Sequence, residues 1–164
     1  MPLKKPKEAR LKALTEEIAA LLYEETDPEA VKTLEGIETA VLGHLLEHVG
    51  PQIGNFFIRT SSGTTSGRHR EIASIIGDLS IRERQGKRLG LKARSQWSPY
   101  LEKCCLLVSA NESYQRAAED IAILTGMTVS SSTQQRLVQR QDFTAPEVDC
   151  GVKEMSLDGG KVRL

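Results

Sequence analysis

Residues 118–138 read AEDIAILTGMTVSSSTQQRLV, in which a glycine separates two segments with apolar residues at helical spacing. Gly126 suits the left-handed position that ends a helix, and Ser130 can cap the helix that follows. A small residue inside the first helix allows close approach, and small polar residues open the second. These features are typical of a helix-turn-helix unit, with a turn about two residues longer than the tightest versions. The alternative is a helical corner with no role in DNA binding.

The outer face of the second helix carries side chains suited to reading DNA. Leu137 and Val138 are expected to face inward. The residues that then point outward are Ser132, Gln135, Arg136, Gln139 and Arg140. Gln and Arg are the types that reach base edges and phosphates. We therefore predict that these five residues contact duplex DNA.

Two earlier segments complete a predicted tri-helical unit. One helix is expected to begin at Ser98-Pro99, where a capping residue precedes a proline, and Asn111 is expected to cap the next. The apolar face of the next helix is predicted to hold Tyr114, Ala117, Ala118, Ile121 and Leu124. Because free cysteines on an apolar face are usually small buried side chains, no redox role is assigned to Cys104 or Cys105.

Before these helices, the apolar residues change from helical spacing to alternation. Ile72, Ser74 and Ile76 alternate, and a second alternating run follows Gly77-Asp78, which predicts a β-hairpin turning at the glycine. Its flanks carry six basic residues: Arg68, Arg70, Arg82, Arg84, Lys87 and Arg88. Lys and Arg supply the salt-dependent part of DNA affinity. No aromatic residues lie among them, which argues against a surface that stacks single-stranded bases.

The N-terminal region is predicted to be helical. Its first apolar stripe consists of Leu11, Leu14, Ile18, Leu21 and Leu22. A second helix is expected to start at Asp27-Pro28, to carry a stripe from Val31 to Val49, and to end at Gly50-Pro51, because proline lacks a backbone donor. By composition, residues 61–67 form a connector that marks a boundary.

Charge is unevenly distributed along the 164 residues. The whole chain has 22 basic and 22 acidic side chains, but residues 51–110 have ten basic and four acidic ones. Residues 1–50 have six basic and ten acidic side chains. The basic middle segment indicates an anionic partner. The alternative is a solvated face that neutralises the acidic N-terminal helices.

Composition excludes several classes of protein. No apolar run approaches the roughly 20 residues that cross a bilayer, and no apolar stretch follows the basic N-terminus as in a secretion signal. Three cysteines, two of them adjacent, do not form a disulfide framework. A cytoplasmic protein without a membrane partner is therefore predicted.

A weak alternative function comes from His44, Glu47 and His48, which match the H-x-x-E-H arrangement of inverted zinc peptidases. Two histidines four residues apart can share a helix face and bind a metal, with the glutamate as base. The sequence offers no obvious third ligand. An amphipathic helix with two histidines on its polar side explains the same residues.

Asp158 is the acid of most interest. Residues 155–158 read as a strand, Gly159-Gly160 as a tight turn, and residues 161–164 as a returning strand. A carboxylate at the rim of a sheet suits a metal ligand. Ordinary turn chemistry is the alternative, because aspartate before glycine is common in hairpins.

The order of these parts resembles the N-terminal half of bacterial insertion-sequence transposases of the Kra type. The resemblance covers roughly residues 57–164, and its most specific feature is the Thr125-Gly126 helix pair followed by the Leu157-Asp158-Gly159 strand. It implies a DNA-binding region joined to an RNase H-like domain whose Asp-Asp-Glu triad holds divalent metal ions. Asp158 matches the first, catalytic and metal-binding aspartate, with Mg²⁺ as the implied cofactor.

The chain departs from this family in two respects. Residues 61–67 replace the cysteine pairs that related transposases often carry, so no zinc site is supported there. The second aspartate and the glutamate have no counterpart before Leu164. We therefore expect a truncated transposase fragment that binds transposon-end double-stranded DNA and does not cut it alone. Whether the chain forms a homo-oligomer stays open. The alternative function is that of a stand-alone helix-turn-helix regulator.

These expectations combine into a mainly α chain with a β-hairpin. The predicted divisions are a helical N-terminal region (1–58), a linker with the basic hairpin (59–95), the helix-turn-helix-like unit (96–142), and a linker with the truncated start of the RNase H-like domain (143–164).

Overall fold

A computed structural model describes residues 4–142 and confirms a mainly helical chain with one antiparallel hairpin. The helices are α1 (Lys5–Glu24), α2 (Leu34–His44), α3 (Gly50–Ser62), α4 (Glu83–Arg88), α5 (Pro99–Ser109), α6 (Tyr114–Thr125) and α7 (Ser131–Gln139). The strands are β1 (His69–Ser74) and β2 (Gly77–Arg82). The predicted strand containing Asp158 lies outside the described residues.

The second predicted helix starts later than expected. Asp27 does not cap it; its carboxylate accepts a hydrogen bond from the Glu29 backbone nitrogen (3.0 Å) in a turn. The helix instead begins at Leu34, where Thr33 accepts a hydrogen bond from Gly36. The Thr33 hydroxyl can cap the helix because Thr33 has the extended backbone that a capping residue needs.

The predicted end of this helix at Gly50-Pro51 is also wrong, because α2 continues into α3 through a π-helical turn (Leu45–Val49). The Gly50 backbone nitrogen donates to the Leu45 carbonyl, five residues earlier. This wider turn restarts the α-helical register, so Pro51 falls in the first turn of α3. A proline is tolerated there because the first turn does not need its backbone donor.

The hairpin forms as predicted, but it turns two residues earlier. Ser74 pairs with Gly77, so the loop consists of Ile75 and Ile76. The buried Ser74 hydroxyl closes this loop, donating to the Gly77 carbonyl (2.7 Å) and accepting from the Ile76 nitrogen (3.2 Å). Gly77 has φ 96°, and a Cβ on it would overlap the Leu46 carbonyl. The glycine therefore serves both backbone conformation and the close approach of the hairpin to the π turn.

The segment predicted as a connector is anchored at several points. Its first two residues belong to α3, which ends at Gly63 in the left-handed conformation. The Gln85 side chain donates to the Thr64 carbonyl (2.8 Å), and the Arg88 guanidinium donates to the Ser62 carbonyl (2.6 Å). These bonds attach α4 to the end of α3.

Helices α5, α6 and α7 enclose the main apolar core. Its buried members are Leu101, Cys105, Ile121, Val129 and Leu137. Ser113, rather than Asn111, caps α6, accepting a hydrogen bond from Arg116. Leu124 does not share the buried face of α6, since 72% of it is exposed.

The hairpin is joined to this helical unit by backbone hydrogen bonds. The Ala73 nitrogen donates to the Gln96 carbonyl (2.9 Å), and the Ser98 nitrogen donates to the Ala73 carbonyl (2.8 Å). Trp97, between them, packs against the helical core. The basic hairpin and α7 therefore hold fixed positions relative to one another.

No helix within residues 4–142 has both the length and the apolar character required to cross a bilayer.

Candidate nucleic-acid interface

A basic concavity of about 880 Å³ lies beside the hairpin. β1 and the residue before it contribute Arg68, His69 and Arg70, α4 contributes Lys87, and the following loop contributes Arg94. Glu83 is the one acidic residue among those that line it. Arg68, Arg70 and Lys87 were predicted as neighbours on the hairpin flanks, and in the fold they line the same concavity.

Arg70 is partly buried and is bonded to the loop after α4. Its side chain is half-buried, and Nη1 donates to the Ser95 carbonyl (3.3 Å). Its Nε is buried and has no hydrogen-bond partner within the described residues. Gly86 leaves room for the guanidinium, because a Cβ there would lie 3.1 Å from Nη2. Arg70 thus supplies a positive charge whose position is set by the fold.

A second concavity of about 400 Å³ lies along α7. Its lining residues are Arg94, Gln96, Trp97, Thr133, Arg136, Leu137, Gln139 and Arg140. The Arg136 side chain lies along its own helix, with Nε donating to the Ser132 carbonyl (3.1 Å). Basic and amide groups predominate in this second concavity, which suits contacts with phosphates and base edges.

Arg94 lines both concavities and is the link between them. It is the one non-glycine residue with a positive φ, 60°, within residues 4–142. A left-handed backbone is unfavourable for a side chain that does not bond locally, and costs about 1–2 kcal/mol. Strained residues of this kind concentrate at functional sites. The loop thus holds a guanidinium between the hairpin and α7 at a cost in stability.

All five residues predicted to point outward from α7 are exposed, namely Ser132, Gln135, Arg136, Gln139 and Arg140. Leu137 is buried as expected, whereas Val138 is half-buried. Arg140 lies 4.0 Å from the carboxylate of Glu102, which also lies 3.9 Å from the Lys92 ammonium. Part of the charge of Arg140 is therefore neutralised within the protein.

Several predicted residues do not line either concavity: Arg82, Arg84, Arg88, Ser132 and Gln135. Arg88 is turned toward α3 by its bond to Ser62. The Arg82 guanidinium donates to the Gly67 carbonyl (3.4 Å) and stays exposed. Arg84 is exposed in the first turn of α4. Arg82 and Arg84 could extend the basic surface, whereas Arg88 has a structural role.

Sequence reasoning missed several residues of this surface, of which Arg94 and Gln96 are the most relevant. Arg94 was included in the excess of basic residues between 51 and 110, but it lies beyond the hairpin flanks. Its spacing from the α7 residues carries no periodic signal, because a loop and two helices separate them. The feature of the sequence that pointed to Arg94 was the excess of basic over acidic residues between 51 and 110.

The candidate zinc residues have other contacts. His44 Nε2 lies 2.7 Å from the Thr26 hydroxyl, which connects the chain after α1 to α2. The His44 and His48 rings are 5.8 Å apart, and Glu47 lies 3.8 Å from His48. Within residues 4–142, no three His, Cys, Asp or Glu side chains are grouped so that they could hold a metal. Asp158, the predicted Mg²⁺ ligand, lies outside these residues.

Comparisons with protein-family models, with curated proteins and with solved structures found no match to this chain.

Proposed function

We propose that residues 68–140 bind duplex DNA. The observation that carries this proposal is the meeting of two basic concavities at Arg94, which puts charges from the hairpin, α4 and α7 on one surface. Duplex DNA presents a line of phosphates beside grooves that admit an α-helix. A rigid surface with cations on one side and a polar helix on the other matches that arrangement.

The two parts of the surface have different proposed roles. Arg68, Lys87 and Arg94 hold phosphates and supply affinity independent of sequence. The exposed face of α7 enters the major groove, where Gln135 and Gln139 reach base edges and Arg136 reaches a guanine or a phosphate. Sequence specificity would then depend on α7, and the salt dependence of binding would depend on Arg68, Lys87 and Arg94.

The test is a fluorescence-anisotropy titration of a labelled duplex at several salt concentrations. Arg94→Gln should weaken binding to every sequence and reduce the slope of log K against log salt by about 0.9, the value for one phosphate contact. Arg116→Gln is the matched control, because Arg116 is exposed on α6, pairs with Glu112 (3.3 Å) and lines neither concavity. Binding without salt dependence, or equal effects of the two variants, would contradict the proposal.

Substitutions on α7 test the second role. Gln135→Ala should cost about 1–3 kcal/mol on a preferred duplex and much less on random sequence. Because Gln135 is exposed, the protein should fold unchanged. Equal losses on every sequence would assign α7 to phosphate contacts instead.

The finer proposal follows from the family resemblance in the sequence. We infer that the preferred duplex is the end of an insertion sequence, recognised by a cytoplasmic transposase or a part of one. Asp158 remains the proposed catalytic ligand for Mg²⁺ in that family. A stand-alone regulator is the alternative, and it would prefer operator-like duplexes over the terminal sequences of an element.

A further inference from the structure

We propose that two copies of this chain associate through α1, packed antiparallel across a twofold axis. This association does not involve the DNA-binding surface. α1 is a 20-residue helix with no buried residue. Within residues 4–142, α1 makes no extended contact with any other helix or strand.

The apolar face of α1 has the spacing of a helix–helix seam. Leu11, Leu14, Ile18 and Leu21 are separated by three, four and three residues, as in positions a and d of a heptad. They are 51%, 45%, 42% and 65% exposed, respectively. In proteins, most of the stability of a helix comes from packing its apolar face against a partner. A second copy of the same helix would cover this face.

Charge complementarity identifies the second copy and its direction. Residues 4–12 contain five basic side chains and one acidic, whereas residues 20–28 contain three acidic and none basic. Within one helix this distribution is unfavourable, because acidic groups near a C-terminus oppose the helix dipole. Antiparallel packing sets the basic end of each copy beside the acidic end of the other. Parallel packing would set like charges together.

The apolar and charged patterns select the same register. An antiparallel pair that aligns Leu14 with Ile18 of the second copy also aligns Leu11 with Leu21. That alignment brings the N-terminal end of each α1, which carries most of the basic side chains, beside the C-terminal end of the other, where Glu24 and the residues just after the helix carry the acidic ones. Near the axis, Glu16 is paired with Lys12 of its own helix, 3.9 Å away. Two independent features of the sequence therefore agree on one arrangement.

The experiment is sedimentation equilibrium of the full chain over a range of concentrations. The wild type should show a reversible monomer–dimer equilibrium that weakens as salt rises, since the paired ends attract. The double variant Leu14→Glu/Ile18→Glu should raise the dimer dissociation constant at least roughly tenfold. Ala13→Glu/Ala20→Glu is the matched control: it adds the same charge on another face of α1 and should dimerise like the wild type.

Emission from Trp97, the single tryptophan, checks that the rest of the chain stays folded in each variant. A wild type that stays monomeric at every concentration would overturn the proposal. Equal effects of the two double variants would overturn the proposed face, and a dimer strengthened by salt would overturn the antiparallel direction. Binding of the monomer to anionic vesicles through α1 would also overturn it, assigning this face to a membrane surface.

Discussion

The Ser109 hydroxyl donates a 3.0 Å hydrogen bond to Oε1 of Gln134 and thereby ties α5 to α7. Gln134 is completely buried, although its neighbours Gln135 and Arg136 are exposed. Because this amide is buried and its oxygen is bonded to α5, it sets the rotation of α7 about its axis. That rotation decides which side chains of α7 line the second concavity.

Removing this bond should destabilise the fold. Gln134→Ala leaves the Ser109 hydroxyl without its partner and opens a cavity, so unfolding should become easier by about 2–4 kcal/mol. Urea unfolding followed by Trp97 fluorescence measures the change. In a double-mutant cycle with Ser109→Ala, the two substitutions should couple by about 1 kcal/mol. Strict additivity would show that the bond does not contribute.

Arg94 should show opposite effects on stability and on DNA binding. Arg94→Gly relieves a left-handed backbone, so the free energy of unfolding should rise by about 1 kcal/mol. The same change removes the proposed phosphate contact, so we expect it to weaken DNA binding. Lys92→Gly is the control for the loop: Lys92 has no positive φ, so added backbone freedom should lower stability instead. Thermal unfolding and anisotropy on the same samples test both signs.

Gly77, in the contact between the hairpin and the π turn, and Gly43, on the open side of α2, should respond in opposite directions to alanine. Gly77→Ala combines a left-handed φ with overlap against the Leu46 carbonyl, and should cost at least about 2 kcal/mol. Gly43→Ala places its Cβ in open space within α2 and should stabilise the chain by about 0.5–1 kcal/mol. Chemical denaturation of the two variants gives both values. A tolerated Gly77→Ala would contradict the described turn.

Cys105 should be unreactive in the folded protein. Burial raises the pKa of its thiol from 9.0 to about 11, partly offset by a hydrogen bond with the Gln134 side chain. At pH 8 only about one thiol in a thousand would then be ionised. Iodoacetamide should therefore modify Cys105 much more slowly in the native than in the urea-unfolded chain. The variant Cys104→Ser/Cys150→Ser isolates this residue, and equal rates in the two states would contradict its burial.

The same pKa shift gives a pH dependence of stability. The thiol is neutral in both states below pH 9, so its contribution is fully present there. As pH rises from 9 to about 11, the unfolded thiol ionises first and the contribution is lost. Urea unfolding of the wild type and Cys105→Ala over this range should separate this loss from that of other groups.

Local patterns in the sequence determined most of the individual elements. Apolar spacing specified α1 and α5 to α7, Ser130 and Gly126 specified two helix ends, and alternation specified the hairpin. These features depend on a few neighbouring residues, so they can be inferred without knowing the fold. The inward position of Leu137 and the exposure of the α7 residues follow from the same periodicity.

Tertiary structure decided the features that depend on distant residues. Pro51 does not end a helix, because the π turn before it restarts the register where the hairpin packs. The turn lies at Ile75 and Ile76 because Ser74 closes it and Gly77 must approach Leu46. Arg94 joins two basic concavities because backbone bonds from Ala73 fix the hairpin against the helical unit. Such contacts span many residues and leave no periodic trace, so the sequence determined the charges while the fold decided which of them share a surface.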